Sequence, residues 1–188
     1  MPILLLLLTL TADTALAGWG PFGGGAILNV KDPGIGRFTG WEAGLTLADS
    51  GNRGFWQFAG GRGTSHVDHS ELTAAQARLN FKVGATQASM LYLGTGGALN
   101  WIDHAGVTRR IWSLSTQAGI LFAPDRAFGA IKNKAPISNQ MMTPGGTMPT
   151  ATDGVLSSHI LLGIEAGYHT GRLSFSGLES RAFLTITY

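Results

Sequence analysis

Apolar and polar side chains take turns along this chain with a period of two. Between positions 110 and 122 the even residues are Arg110, Trp112, Leu114, Thr116, Ala118, Ile120 and Phe122, set against Ile111, Ser113, Ser115, Gln117, Gly119 and Leu121. Between 156 and 168 the even set is Leu156, Ser158, Ile160, Leu162, Ile164, Ala166 and Tyr168, opposed by Ser157, His159, Leu161, Gly163, Glu165 and Gly167. Successive side chains of a β-strand point to opposite faces, so each pattern predicts a strand with one apolar and one mixed face. The first half repeats the theme more weakly: Trp41, Ala43, Leu45 and Leu47 oppose Glu42, Gly44 and Thr46, while Ala75, Ala77, Leu79, Phe81 and Val83 oppose Gln76, Arg78, Asn80 and Lys82. With 22–30, 54–64, 88–101 and a final segment, 181–188, the alternation predicts eight strands.

The final segment is the cleanest. Ala182, Leu184, Ile186 and Tyr188 fall on one face and Arg181, Phe183, Thr185 and Thr187 on the other, with Tyr188 carrying the chain's carboxylate. The strands at 110–122 and 156–168 exceed the roughly 9–11 residues that a tilted strand needs to cross a bilayer. In this ending the chain resembles bacterial outer-membrane β-barrel proteins, the OmpA-, OmpX- and OmpW-like class of small barrels. The resemblance implies an all-β, up-and-down antiparallel transmembrane barrel in the cell outer membrane, with residues 181–188 read by the barrel assembly machinery.

The N-terminal end changes the picture in the same direction. Ile3 and the leucines 4–8 form an apolar run, and Ala15-Leu16-Ala17 precedes Gly18. These are the h-region and A-x-A site of a secretory signal, which predicts residues 1–17 as a cleaved signal peptide and 18–188 as the barrel domain. The n-region lacks Lys and Arg, a departure from the usual pattern. Removing Asp13 with the signal moves the formal charge from +2 to +3. The charges are scattered and form no basic stripe, so no nucleic-acid partner is expected. With no cysteine there is neither a disulfide framework nor a lipidated thiol. Glycine, 28 of 188 residues, is about twice its usual ~7% share and recurs within the apolar stretches, as a strongly twisted closed sheet permits.

Residues 124–154 break the rhythm with Pro124, Pro136, Pro144 and Pro149 and no sustained period, and so form a long loop. Counting back from a final strand that ends in the periplasm puts this loop on the periplasmic side, where such barrels have short turns.

Three constellations carry possible chemistry. His66, Asp68 and His69 offer imidazole and carboxylate ligands for a divalent metal, set against a plain polar loop. Ser157, His159 and Glu165 share a strand face and contain the residue types of an esterase or acyltransferase. Residues two apart on a strand are about 6.7 Å apart, long for a nucleophile and its base. The inward set Glu42, Arg78, Lys82, Glu165 and Arg181 predicts a compensated charge network filling the lumen of an eight-stranded barrel. Trp41, Trp112, Phe122, Tyr168 and Tyr188 sit near the ends of outward runs, as membrane-girdle aromatics do. The favoured expectation is a barrel without a cofactor, with a structural or surface-interaction role amid outer-membrane lipid and lipopolysaccharide. The alternatives are a lipid A deacylase-like enzyme and a narrow solute channel.

Overall fold

Alternation becomes a closed sheet. The computed structural model describes residues 16–31, 36–49, 53–127, 155–171 and 175–188. It contains β1 (Leu16–Val30), β2 (Arg37–Asp49), β3 (Gly54–Ser65), β4 (Glu71–Ala85), β5 (Ser89–His104), β6 (Val107–Phe122), β7 (Ile160–Gly171) and β8 (Gly177–Ile186). Each strand pairs antiparallel with its sequence neighbours, and β1 pairs with β8 to close the barrel. Closure leaves no strand edge, which removes the unpaired backbone groups that lipid cannot satisfy. The protein is an up-and-down, eight-stranded transmembrane β-barrel.

The two faces differ as the period-two pattern demands. Outward positions such as Leu45, Leu93, Leu114, Ile164 and Leu178 are 47–66% exposed, an apolar surface fit for lipid rather than water. Inward positions are buried and mostly polar at mid-height. On β2 the inward series is Phe38, Gly40, Glu42, Gly44, Thr46, Ala48; on β6 it is Ile111, Ser113, Ser115, Gln117, Gly119, Leu121. Each reads apolar, polar, apolar from one rim to the other.

The apolar ends of these series meet in two clusters. At the rim where β1 begins and β8 ends, Phe22, Phe55, Met90, Tyr92, Leu121 and Phe183 pack with Val155 and Leu156. At the opposite rim Leu28, Val30, Phe38, Leu72, Ile102, Ile111 and Phe175 pack together. Val155 and Leu156 come from a 3₁₀ turn, Val155–Ser157, that dips into the terminus-side mouth as a plug and is 1% exposed at both residues. One backbone bond and one side-chain bond fix it: Thr187 N donates to His159 O at 2.9 Å, and the Thr187 hydroxyl donates to Ser158 O. His159 N donates to the carboxylate of Asp125 at 3.1 Å, in the helical turn 124–127 that leaves β6.

The eight-strand count thus places the β6–β7 connection on the same side as both barrel termini. Most of the loop expected at 124–154, positions 128–154, lies outside the described residues, as do residues 1–15 of the expected signal segment. Leu16 and Ala17 begin β1. One expectation needs correcting. The strand read at 156–168 starts only at Ile160, so Leu156 and Ser158 are not outward but buried in and beside the plug. A protein core and a lipid bilayer reward the same side chains, and the period alone does not separate them.

Interior glycines make room for large neighbours. A Cβ on Gly119 would stand 2.3 Å from Tyr92 Oη, and one on Gly163 2.2 Å from the Phe183 ring. Gly96 likewise lies under Arg78, where a Cβ would meet Cγ at 2.9 Å. The small-beside-large pattern fills a lumen that eight strands leave only side-chain wide.

Candidate functional site

Mid-height in the barrel, acidic and basic side chains from four strands converge with almost no exposure. Glu42 of β2 meets Arg78 of β4, with Arg78 Nη2 donating to Glu42 Oε2 at 2.6 Å. Arg181 of β8 is the hub. Its Nε lies 3.8 Å from Glu42 Oε2 and its Nη1 2.8 Å from Glu165 Oε1, ion pairs by distance rather than by N–H direction; its Nη2 donates to Glu179. All five side chains are no more than 6% exposed.

Neutral groups extend the network. Tyr92 Oη donates to Glu165 Oε2 at 2.9 Å. His169 of β7 bonds Glu179 through Nε2, while its Nδ1 lies 3.3 Å from Ser113 Oγ, which in turn accepts from Asn100 Nδ2 at 3.0 Å. Gln76 accepts from Arg78, and Gln117 donates to Asn80 Oδ1 at 3.1 Å. A buried charge is expensive unless paired and hydrogen-bonded, and here each guanidinium meets at least one carboxylate.

Of the five residues assigned to an inward charged set, the structure brings Glu42, Arg78, Glu165 and Arg181 together. Lys82 must be corrected. It has the right parity but is exposed at the terminus-side end of β4, beside the register shift between Lys82 and Gly84, and joins no ion pair among the described residues. Glu179 and His169, which the sequence reading missed, take part instead. Glu179 is two residues before Arg181 and His169 four after Glu165, so continuing the period past the chosen boundaries would have found both.

Ser157, His159 and Glu165 do not form a face. Ser157 belongs to the 3₁₀ turn, His159 is exposed with Nδ1 3.4 Å from Thr187 O, and Glu165 is buried against Arg181 and Tyr92. Glu165 lies six positions along the chain from His159, which precedes β7, roughly 20 Å at the usual strand rise. Catalysis by this set has no geometry behind it.

His66, Asp68 and His69 also part company. His66 Nε2 contacts Thr39 Oγ1, and His69 is exposed at φ 57°. Asp68 instead organises the β3–β4 turn: it accepts from Ser70 N at 3.1 Å and from the Ser70 hydroxyl, and lies 3.1 Å from His104 Nδ1. Burial by itself would raise the Asp68 carboxyl, but hydrogen bonds from Ser65 and Ser70 and the nearby His104 outweigh it and hold the group down at about 2. The Asp68–Ser70–His104 trio has the residues of a hydrolase triad but not its wiring. Serine and carboxylate share one imidazole nitrogen, Nδ1, and Ser70 is 2% exposed, so no substrate reaches it. Among the described residues no group of three or more His, Cys, Asp and Glu is placed to hold a metal ion.

The aromatic set faces outward. Trp41, Trp112 and Tyr188 are 58%, 52% and 71% exposed, and Phe122 lies at the terminus-side end of β6. Tyr168, half-buried, carries Lys31 Nζ over its ring at 5.3 Å, a cation–π contact. Trp19, absent from the sequence reading, pairs with Tyr188 at 5.6 Å between ring centroids.

Closed topology, lipid-fit exterior and filled interior define the class: a small transmembrane barrel of the outer-membrane type. Neisserial surface protein A, NspA, is similar in structure, with a TM-score of 0.55 over 92% of this chain and 97% of that one at 12% identity. Ail, the attachment invasion locus protein of Yersinia pestis, aligns over 91% of this chain and 98% of its own with a TM-score of 0.48 at 13% identity. No protein-family model and no curated protein matches the sequence. At such identity the likeness to NspA speaks to the fold.

Proposed function

We propose that this chain is an outer-membrane barrel with a structural or surface-interaction role, acting through its exterior and not through its lumen. The observation that carries this reading is the filled interior: an apolar cluster at each rim and a paired charged layer between them. A pore needs a wet path, and an eight-stranded barrel has width only for the side chains that fill it here. The apolar outward face supports residence in a bilayer, and the likeness to a neisserial surface protein supports the outer membrane as that bilayer. In this reading residues 1–17 are an export signal cleaved after Ala17, and residues 181–188 are read by the assembly machinery. The surroundings are outer-membrane lipid and lipopolysaccharide.

Two measurements test it. Refolded protein in a planar bilayer should give no discrete conductance steps, and reproducible steps would overturn the filled-lumen reading. Expressed in a Gram-negative host, the protein should fractionate with the outer membrane and yield Gly18 on N-terminal sequencing. Recovery in the soluble periplasm would refute the localisation.

A further inference from the structure

Closure without an edge holds along the membrane-spanning height of the barrel, but above Ser113 β6 stands clear of β7. On one side β6 pairs with β5 along its whole upper length, from His104 opposite Val107 to Asn100 opposite Ile111. On the other, its pairing begins only where Ser113 meets Gly171, the last residue of β7. Among the described residues no strand pairs with residues 107–111 on that side. A strand paired on one side alone holds out a row of N–H and C=O groups on the other, about 17 Å long for five residues. Thr108, Arg109 and Arg110 are exposed and lie beyond Trp112, so the row meets water, where unpaired backbone is tolerated, and not lipid.

This edge is held ready. Ala105 and Gly106, at φ 50° and 79°, form the tight turn that joins β5 to β6, and positive φ at both positions matches the twist of the paired strands. A segment already fixed as a strand loses little further entropy when another is added to it. Its charge is of one sign. Arg109 and Arg110 join no ion pair among the described residues, while the nearby acids Glu71 and Asp68 are taken by Arg62 and His104, and Asp103 stands opposite Thr108. Two copies upright in one membrane present parallel β6 edges, which sets Arg109 and Arg110 against their own counterparts, and like charges directly opposite destabilise a strand pair. A foreign segment with carboxylates at two adjacent positions instead meets both guanidinium groups, one on each face of the sheet. We propose that residues 107–111 are a docking edge to which an extended acidic segment of another protein adds as an extra strand, its backbone bonds supplying affinity and the two arginines selecting its charge. The proposal rests on the surface-interaction reading, with the rim opposite the termini facing outward.

The test uses the full barrel refolded in detergent micelles and a blocked peptide of alternating Thr and Val around a central Glu-Glu pair. Adding the peptide should slow amide exchange at alternate residues of 107–111 and leave the β3–β4 turn unchanged. The double variant Arg109→Glu/Arg110→Glu, altered only at exposed side chains, should bind this peptide roughly tenfold more weakly, because two opposite-charge pairs become like-charge pairs. The same peptide carrying Lys-Lys should restore binding to the variant. Unchanged exchange at residues 107–111 would overturn the proposal, as would affinity indifferent to both charge reversals. Dimerisation of the peptide-free barrel with protection of the same amides would give the edge to a second copy and equally refute an acidic partner. Fluorescent peptide on expressing cells separates this proposal from the reading beneath it. Labelling of intact cells supports both, whereas binding to the refolded barrel with labelling of permeabilised cells alone supports the edge and overturns the outward orientation.

Discussion

Two buried regions of one barrel, separated by a few residues along each strand, are held by opposite physics. The terminus-side plug around Val155, Leu156, Met90, Leu121 and Phe183 is apolar and gains from packing alone. The mid-height layer around Arg181 is charged and is tolerable only while every member keeps its partners. The difference teaches where this barrel is brittle. Trimming the plug leaves a void whose cost grows with its size, whereas removing one charge leaves others buried and uncompensated.

The largest effect should therefore come from the hub. Arg181→Met leaves Glu42, Glu165 and Glu179 facing one another and should destabilise by roughly 4 kcal/mol, the range for breaking a buried ion pair. Loss of the heat-modifiable folded band at room temperature would show it, and an unfolding temperature within a degree or two of the parent would sink the contrast. Leu156→Ala should cost about 3 kcal/mol through an unfilled cavity in the plug. Its unfolding temperature should fall between those of Arg181→Met and the parent. Gly163→Ala drives a methyl into the Phe183 ring and should cost about 1–3 kcal/mol by overpacking. Trimming the ring with Phe183→Leu should relieve part of that penalty, and simple additivity would refute the steric account.

The rim supplies a milder, pH-dependent effect. Asp68 titrates at about 2 in the folded chain against an ordinary value of 3.8. Its stabilisation is therefore fully present above the ordinary value and is lost as pH falls toward 2. Amide exchange in the β3–β4 turn should accelerate across that window in the parent and show no such step in Asp68→Asn. The smallest change belongs to the exposed Lys82: Lys82→Gln should shift stability by less than about 0.5 kcal/mol, and a larger loss would return it to the network.

Much of the fold was legible because a barrel wall is a two-sided solvent boundary, and period-two alternation records which side each residue meets. The strand count, the facing of β2, β4, β6 and β8, and the return of the long connection to the terminus-side rim follow from that pattern. It misled at residues 156–159, where plug residues happen to keep the alternation without being in a strand. It missed Trp19, because Pro21 and the glycines after it blur the start of β1. Partnership within the lumen was less readable. Parity assigns Lys82 and Arg78 to one face, but only the height of each along its strand separates a solvated rim position from a buried one. The pairing of Arg181 with Glu42 of β2 depends on closure, which no local sequence window contains.

The two fully described turns at the rim opposite the termini are brief: residues 66–70 join β3 to β4, tied by Asp68 to Ser70 and His104, and residues 105–106 join β5 to β6. A protease must draw an extended stretch of several residues into its cleft, and these turns have little slack to give. With that rim outward, intact cells treated with protease should release few fragments of this protein. A binding partner would find few long loops to grasp, and would have to recognise the barrel's flanks, with Trp41 and Arg62 exposed on one side and Trp112 of β6 on the other.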